Sequence, residues 1–374
     1  MPCFFMTFCN LFDLKKHLLY TNAVLENDMK VILDAFGGDY APNAIVNGAV
    51  LSLQEFKDVE IVLSGDEEKI KQELEKIKAE QDFGFDESRL HILDAKDVIT
   101  NNDKPTEVIR TKKDSSLVKG LEMLKSDDDA VALISAGSTG AVLTGGFMKI
   151  GRLKGLSRPA LCPFIPTKKG TPVLLVDCGA NMDCKPINLL HFAVMGANYY
   201  TAMTGVENPR VALLSVGTED EKGNDLVKKT APHMAKLPIN FVGNMEARDF
   251  LSGDYDVVVS DGFAGNTLLK ASEGAILTIV DLLKSTIKTS GLKGKLGGLL
   301  IKKPLKKMLK TFDYSNYGGS PFLGLKKTVI KAHGNSKANS IKECVRQAIK
   351  FSESNCNAKI QSSLESLDIK IEEE

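Results

Sequence analysis

The chain has 374 residues, 43% hydrophobic and 26% charged, with 48 Lys and Arg balancing 48 Asp and Glu. Zero formal charge argues against nucleic acid as a bulk electrostatic partner, and seven cysteines without CxxC spacing indicate neither a disulfide framework nor a zinc knuckle, so a reducing cytoplasm is the expected compartment. No run reaches the roughly 18 apolar residues of a spanning helix, and the length suits one large α/β domain or two joined lobes.

Residues 1–28 read apart from the rest. Cys3, Phe4, Phe5, Met6, Phe8, Leu11 and Phe12 cluster without the basic n-region of a signal peptide, so this segment is expected to be a loosely attached arm or untranslated, with synthesis beginning at Met29. From Met29 the pattern is apolar run, small-residue turn, amphipathic helix. A strand over 31–34 leads into Gly37-Gly38-Asp39 and a helix with Ile45, Val46, Ala49 and Val50 on one face. Strands over 61–63 and 90–93 flank a charged helix over 67–80. Asp103-Lys104-Pro105 opens another helix, and Asp114-Ser115-Ser116 is an N-cap for one carrying Leu117, Leu121 and Leu124.

The stretch over 131–146 is central. Its first four residues suit a strand buried on both faces, and Gly137, Ser138, Thr139 and Gly140 then turn the chain into a helix. Such a turn lets backbone approach a ligand, and the free N–H groups of the helix start favour an anion such as phosphate. Three later strands, over 173–177, 211–216 and 257–260, also end in small polar loops. These carry Gly179-Ala180-Asn181 with Lys185, Gly217 with Lys222-Gly223-Asn224, and Asp261 with Gly265-Asn266. In an open parallel sheet the carboxyl ends of strands share one rim, so the five loops are expected to converge on a single crevice.

The sequence holds no GxxxxGK[ST], HExxH or GxSxG, and no GxGxxG in the first βα turn, which removes much of the support for ATP and NAD chemistry. Cys178 is expected to fill a small apolar site, and His191 to be a core residue. His333, in Lys-Ala-His-Gly-Asn-Ser, is open to either a structural or a functional role. Asp34, Asp177 and Asp261 end strands and could hold a divalent metal jointly, though capping of the next helix is the expected role. Between Leu282 and Phe312 nine lysines occur with no Asp or Glu. Leu292, Leu296, Leu299 and Leu300 recur at helical spacing beside Lys293, Lys302, Lys303, Lys306 and Lys307. Pro304 is expected to divide the stretch into two short helices, the glycines at 294, 297 and 298 to make it mobile, and its surface to meet anionic lipid or an acidic protein.

Together these motifs resemble the bacterial phosphate acyltransferases of phospholipid synthesis, the PlsX family. The resemblance runs from Met29 to about Phe351 through Asp34-Ala35-Phe36-Gly37-Gly38-Asp39, Lys112-Lys113-Asp114-Ser115-Ser116, Ser135-Ala136-Gly137-Ser138-Thr139-Gly140-Ala141, Gly179-Ala180-Asn181, Lys222-Gly223-Asn224, Asp261-Gly262-Phe263-Ala264-Gly265-Asn266, Asp313-Tyr314-Ser315 and Lys331-Ala332-His333-Gly334. Ser138 and Ser215 stand where the family usually has Asn, and Cys178 where it rarely has cysteine. The resemblance implies an α/β/α sandwich with a mostly parallel sheet, like that of isocitrate and isopropylmalate dehydrogenases, with a protruding amphipathic segment over 282–312, a catalytic domain over 29–351 and a tail over 352–374. It also implies a homodimer that converts acyl-[acyl carrier protein] and orthophosphate into acyl phosphate for a membrane-bound glycerol-3-phosphate acyltransferase, with no cofactor and no metal, in the cytoplasm and peripherally on the membrane.

The chemistry agrees: phosphate is its own nucleophile and a thiol leaves readily, so the protein must supply an anion cradle and donors for the oxyanion. Lys113, Asn181, Asn224, Asp261, Asn266 and His333 are the expected catalytic groups. Gly37, Gly38, Asp39, Gly137, Ser138, Thr139, Gly140, Lys185, Lys222 and Gly265 are the expected phosphate or substrate contacts. A metal- and NAD-dependent decarboxylating dehydrogenase of the same fold, and a non-catalytic adaptor for carrier protein or lipid, are the rival readings.

Overall fold

A computed structural model describes residues 29–80, 84–311 and 317–367. The extension over 1–28, the Asp313-Tyr314-Ser315 motif and the last seven residues of the expected tail lie outside the described residues. The first half of the chain runs β1 (Met29–Asp34), α1 (Asn43–Glu55), β2 (Val59–Gly65), α2 (Glu67–Glu80), β3 (Leu90–Asp94), α3 (Pro105–Thr111), α4 (Ser116–Ser126), β4 (Ala130–Ser135) and α5 (Thr139–Gly145). It continues through β5 (Ala160–Leu161), β6 (Phe164–Pro166), β7 (Pro172–Val176), α6 (Pro186–Thr204), β8 (Val211–Ser215), α7 (Asp225–Met234), β9 (Phe241–Glu246) and β10 (Val257–Val259). Then follow α8 (Gly262–Thr289), α9 (Gly291–Thr311), β11 (Ser320–Leu323), β12 (Thr328–Lys331), α10 (Ala338–Glu353) and α11 (Cys356–Glu365).

The strands divide between two sheets where the sequence reading expected one. The first has the order β3-β2-β1-β4-β12-β11-β5 and the second β6-β7-β10-β8-β9. Pairing is parallel except where β11 meets β12 and β5, and where β6 meets β7. Burial on both faces of the parallel strands explains their continuous Val, Ile and Leu composition. Alternation then splits each strand between cores: Val31 and Leu33 pack with α1 and α10, whereas Ile32 and Leu133 join Leu175, Ala212 and Val258 of the other sheet in a shared central layer. Leu174, Val176, Val257 and Val259 face the remaining core with α6. Within the expected tail, α11 buries Cys356 and Ile360 there.

Pro304 lies inside α9 and does not divide it. Proline removes the bond that its N–H would give to the carbonyl of Leu300, and the helix continues where that residue is 74% exposed, so that solvent is able to replace the lost partner. The break falls at Gly291 instead, whose φ of +64° is open to glycine. One of the glycines here serves packing. A Cβ on Gly298 would stand 2.4 Å from Cγ2 of Ile287, so glycine lets α9 lie directly on α8.

Candidate active site

The carboxyl end of β1 carries Asp34, buried at the base of the first glycine turn. Its carboxylate accepts hydrogen bonds from the Ser116 hydroxyl at the start of α4 and the Ser135 hydroxyl at the end of β4, both at 2.6 Å. Burial pushes the Asp34 carboxyl up, and these hydroxyls pull it back. Ser135 Oγ in turn accepts the Gly137 N–H at 3.1 Å. The two glycine turns therefore rest on one carboxylate. A Cβ on Gly37 would lie 2.6 Å from Asp34 Oδ2 and 2.7 Å from the Gly137 nitrogen, so the turns touch backbone to backbone.

In the second sheet Asp177 plays a matching part. Wholly buried, it accepts N–H bonds from Leu161 (2.8 Å), Ala180 (3.2 Å) and Asn181 (2.7 Å), and another from the Asn181 side-chain amide (2.9 Å). Burial pushes its carboxyl up against these four donors. The Asn181 amide also donates to the Pro159 carbonyl at 2.8 Å, so both its hydrogens are committed within the protein. Asp261 caps α8, accepting the Ala264 N–H at 2.8 Å, and the Gly262 N–H donates to the Asn181 carbonyl at 2.7 Å. Among the described residues no cluster of three or more carboxylate, imidazole or thiol groups could hold a metal ion; Asp34 has its own hydroxyl partners, while Asp177 and the Asp261 cap meet through Asn181.

Two cavities open where these strand ends face one another. One, of about 390 Å³, is lined by Gly38, Asp39, Thr100, Asn101 and the loop over 136–139. The other, of about 430 Å³, has apolar walls of Leu161, Phe164, Ile165, Met182, Leu269 and Ile276, with Cys178, Asn266, Lys270 and His333 also at its surface. Thr139, Lys331 and Gly334 line both.

The structure thus brings Gly38, Asp39, Gly137, Ser138 and Thr139 together in the polar cavity, with Asn266 and His333 at the apolar one. Gly37, Gly140 and Gly265 pack behind, against Asp34, Pro105 and the Asp177 carbonyl. Lys113, Lys185, Lys222 and Asn224 line neither cavity: Lys113 is exposed beyond α3, Lys185 starts α6, and Asn224 caps α7 by accepting the Val227 N–H at 3.0 Å. Cys178 is 4% exposed and burial pushes its thiol well up, which suits a packing residue. His191 is only half-buried, with its Nδ1 unpartnered and its imidazole pushed down by burial. On α9, Leu292, Leu296, Leu299 and Leu300 are 62–87% exposed beside the exposed Lys293, Lys302 and Lys303. The side chains of Lys306 and Lys307 lie outside the described residues.

Lys331, the last residue of β12, is the site group that sequence reasoning missed. It is 8% exposed, and its Nζ donates to the carbonyls of Ala136 (3.2 Å) and Ala332. Burial pushes its ammonium down to about 8. The available signal was a cation closing the apolar run Val329-Ile330, at the rim where ligands bind.

Residues 29–359 match a family model described as "Fatty acid synthesis protein". The chain is 45% identical over 337 residues to the phosphate acyltransferase of Clostridium novyi, covering 90% of this chain and 99% of that protein. It is 47% identical over 324 residues to the phosphate acyltransferase of Clostridioides difficile, covering 87% and 93%. Among solved structures, a phosphotransacetylase from Streptococcus pyogenes superposes with a TM-score of 0.55 at 16% identity, covering 96% of this chain and 100% of that one. The EutD phosphotransacetylase from Staphylococcus aureus gives 0.53 at 16%, covering 94% and 98%. These two similarities concern the fold. The identity to the curated relatives extends across nearly their whole length, and on that ground the chain belongs to the fatty acid synthesis protein family, among the phosphate acyltransferases.

Proposed function

We propose that this acyltransferase moves the acyl group of acyl-[acyl carrier protein] onto orthophosphate, giving acyl phosphate for phospholipid synthesis. What carries the reading is the 45% identity to a phosphate acyltransferase over 99% of that relative; the dehydrogenase and adaptor alternatives are not favoured by it. A phosphate oxygen adds to the thioester carbonyl, the carbon–sulfur bond breaks, and the proton of hydrogenphosphate ends on the carrier's thiol. Phosphate brings its own nucleophile and the thiolate leaves without strong acid help, so the protein's contribution is positioning and stabilisation of negative charge. The clustering of Gly38, Gly137, Ser138 and Thr139 supports a role in cradling phosphate, and that of Asn266 and His333 a role near the carbonyl. Asn181 and Asp261 serve this reading by shaping the loop that presents Asn266.

No helix among the described residues is long and apolar enough to cross a membrane. The leucine- and lysine-bearing faces of α8 and α9 support reversible contact with an anionic membrane surface, where a membrane-bound glycerol-3-phosphate acyltransferase would take the product. A homodimer belongs to the same reading. The deciding experiment incubates the protein with acyl carrier thioester and orthophosphate and traps acyl phosphate with hydroxylamine. Phosphate-dependent hydroxamate, formed without added metal or nucleotide and unaffected by a chelator, is the expected result. Thioester cleavage that ignores phosphate would overturn the reading.

A further inference from the structure

Lys331 places a buried ammonium in this site without, among the described residues, an ion-paired carboxylate. Lys331 Nζ is bonded to two backbone carbonyls, which orient it but leave its charge uncompensated. Among the described residues it forms no ion pair with a carboxylate, and Asp34 and Asp39 act on it only at longer range. Desolvated cations of this kind are stabilised by an anion brought against them. The lowering of its proton affinity to about 8 reports the same desolvation and leaves it mostly charged at neutral pH.

Its position says which anion fits. The cavity on one side is polar, floored by glycine backbone and hydroxyls, and the cleft on the other has aliphatic and aromatic walls. A ligand that fills both is apolar at one end and anionic at the other, joined at Lys331.

We infer that orthophosphate binds in the polar cavity against Lys331, that the fatty acyl chain of the thioester lies along Leu161, Phe164, Leu269 and Ile276, and that the new carbon–oxygen bond forms beside the Lys331 ammonium. The inference rests on the phosphate acyltransferase reading above. Phosphate oxygen attacks the thioester carbon, the carbonyl oxygen gathers charge and then expels sulfur, and the phosphate proton passes to the departing thiolate. Lys331 keeps its own proton throughout and neutralises charge on the phosphate and on the developing oxyanion. It would touch substrate, and so act as a catalytic residue; Ile276, on α8, would set how long a chain is accommodated.

The test uses the full chain with acyl carrier thioesters of graded chain length. Lys331→Met should raise the KM for phosphate and lower kcat/KM by about ten- to a hundredfold, the effect of losing one charge-assisted contact, while the KM for carrier thioester stays within about twofold. Lys331→Arg, which keeps the charge, should recover part of the loss and supplies the measurement should the Met variant not fold. Ile276→Trp should penalise long chains progressively, by about fourfold for each methylene that no longer fits, with the KM for phosphate unchanged. A folded Lys331→Met protein with the wild-type KM for phosphate would overturn the phosphate assignment. A uniform loss across chain lengths in Ile276→Trp would overturn the acyl assignment. Wild-type protein inactive with phosphate would instead sink the underlying reading, which keeps the two failures distinct.

Discussion

Asp177 and Asp34 are both buried carboxylates at strand ends, but their partners differ in a way that a single isosteric change exposes. Every partner of Asp177 is an N–H: Oδ1 takes Leu161 and Ala180, and Oδ2 takes the backbone and side-chain amides of Asn181. Asp177→Asn turns one acceptor into a donor facing two donors. Backbone N–H groups cannot turn away, and the Asn181 amide is held by Pro159. Two buried donors are thus left unsatisfied at about 1–3 kcal/mol each, for a total of about 2–6 kcal/mol. At Asp34 the close partners are the Ser116 and Ser135 hydroxyls, which rotate to offer a lone pair, so Asp34→Asn should cost only about 1 kcal/mol. Urea unfolding followed by circular dichroism measures both, the midpoint shift multiplied by a common slope giving the difference. An Asp34→Asn variant as unstable as Asp177→Asn would refute the hydrogen-bond accounting and point to charge alone.

Activity should fall above pH 8, because burial holds Lys331 near that value and an ammonium is charged only below it; the surrounding Asp34, Asp39, Cys344 and Lys270 set the midpoint, and Lys331→Arg should remove the decline. Cys178→Ala should retain most activity, since the thiol is buried and pushed well up, and an inactive but folded variant would indicate an acyl-enzyme. Leu299→Glu combined with Leu300→Glu should release the protein from anionic vesicles and leave soluble turnover intact, whereas a sharply raised KM for carrier with vesicle binding kept would make this face a carrier dock.

Much of this site was legible in the sequence because its signals are local. The turn over 136–140 and the Asp261 cap follow from small residues at the ends of apolar strands, and the structure places them where that pattern predicts. What escaped is long-range. The loops of β1 and β4 were expected to share one rim with those of β7, β8 and β10, yet a second sheet carries the latter three, and local periodicity says nothing about which strands pair. Lys113, Lys222 and Asn224 were chosen for their chemistry within polar loops, and none of the three lines either cavity. Lys331 escaped because a lysine beside apolar residues reads as solvated until the neighbouring strands that bury it are known. Asn181 was noticed for the right loop and the wrong partner: its amide serves Asp177 and Pro159 inside the protein.

The arrangement of α8 has a mechanical side. Its first turn is fastened to the site through the Asp261 cap and the bond from Gly262 to Asn181, and Asn266, Lys270, Glu273 and Ile276 line the apolar cleft along its next turns. Its outer half packs against α9 at Ile287 but leaves Leu277, Ile279 and Leu282 each more than 60% exposed. Twenty-eight residues make a rod of about 42 Å at 1.5 Å per residue. Pinned at one end, such a rod swings its tip by about 4 Å for a tilt of about 5°, and moves Ile276 by about half as much. In the reading proposed above, a partner that grips the outer end would change the width of the acyl cleft, so that the same helix would serve both as a wall of that cleft and as a handle on it.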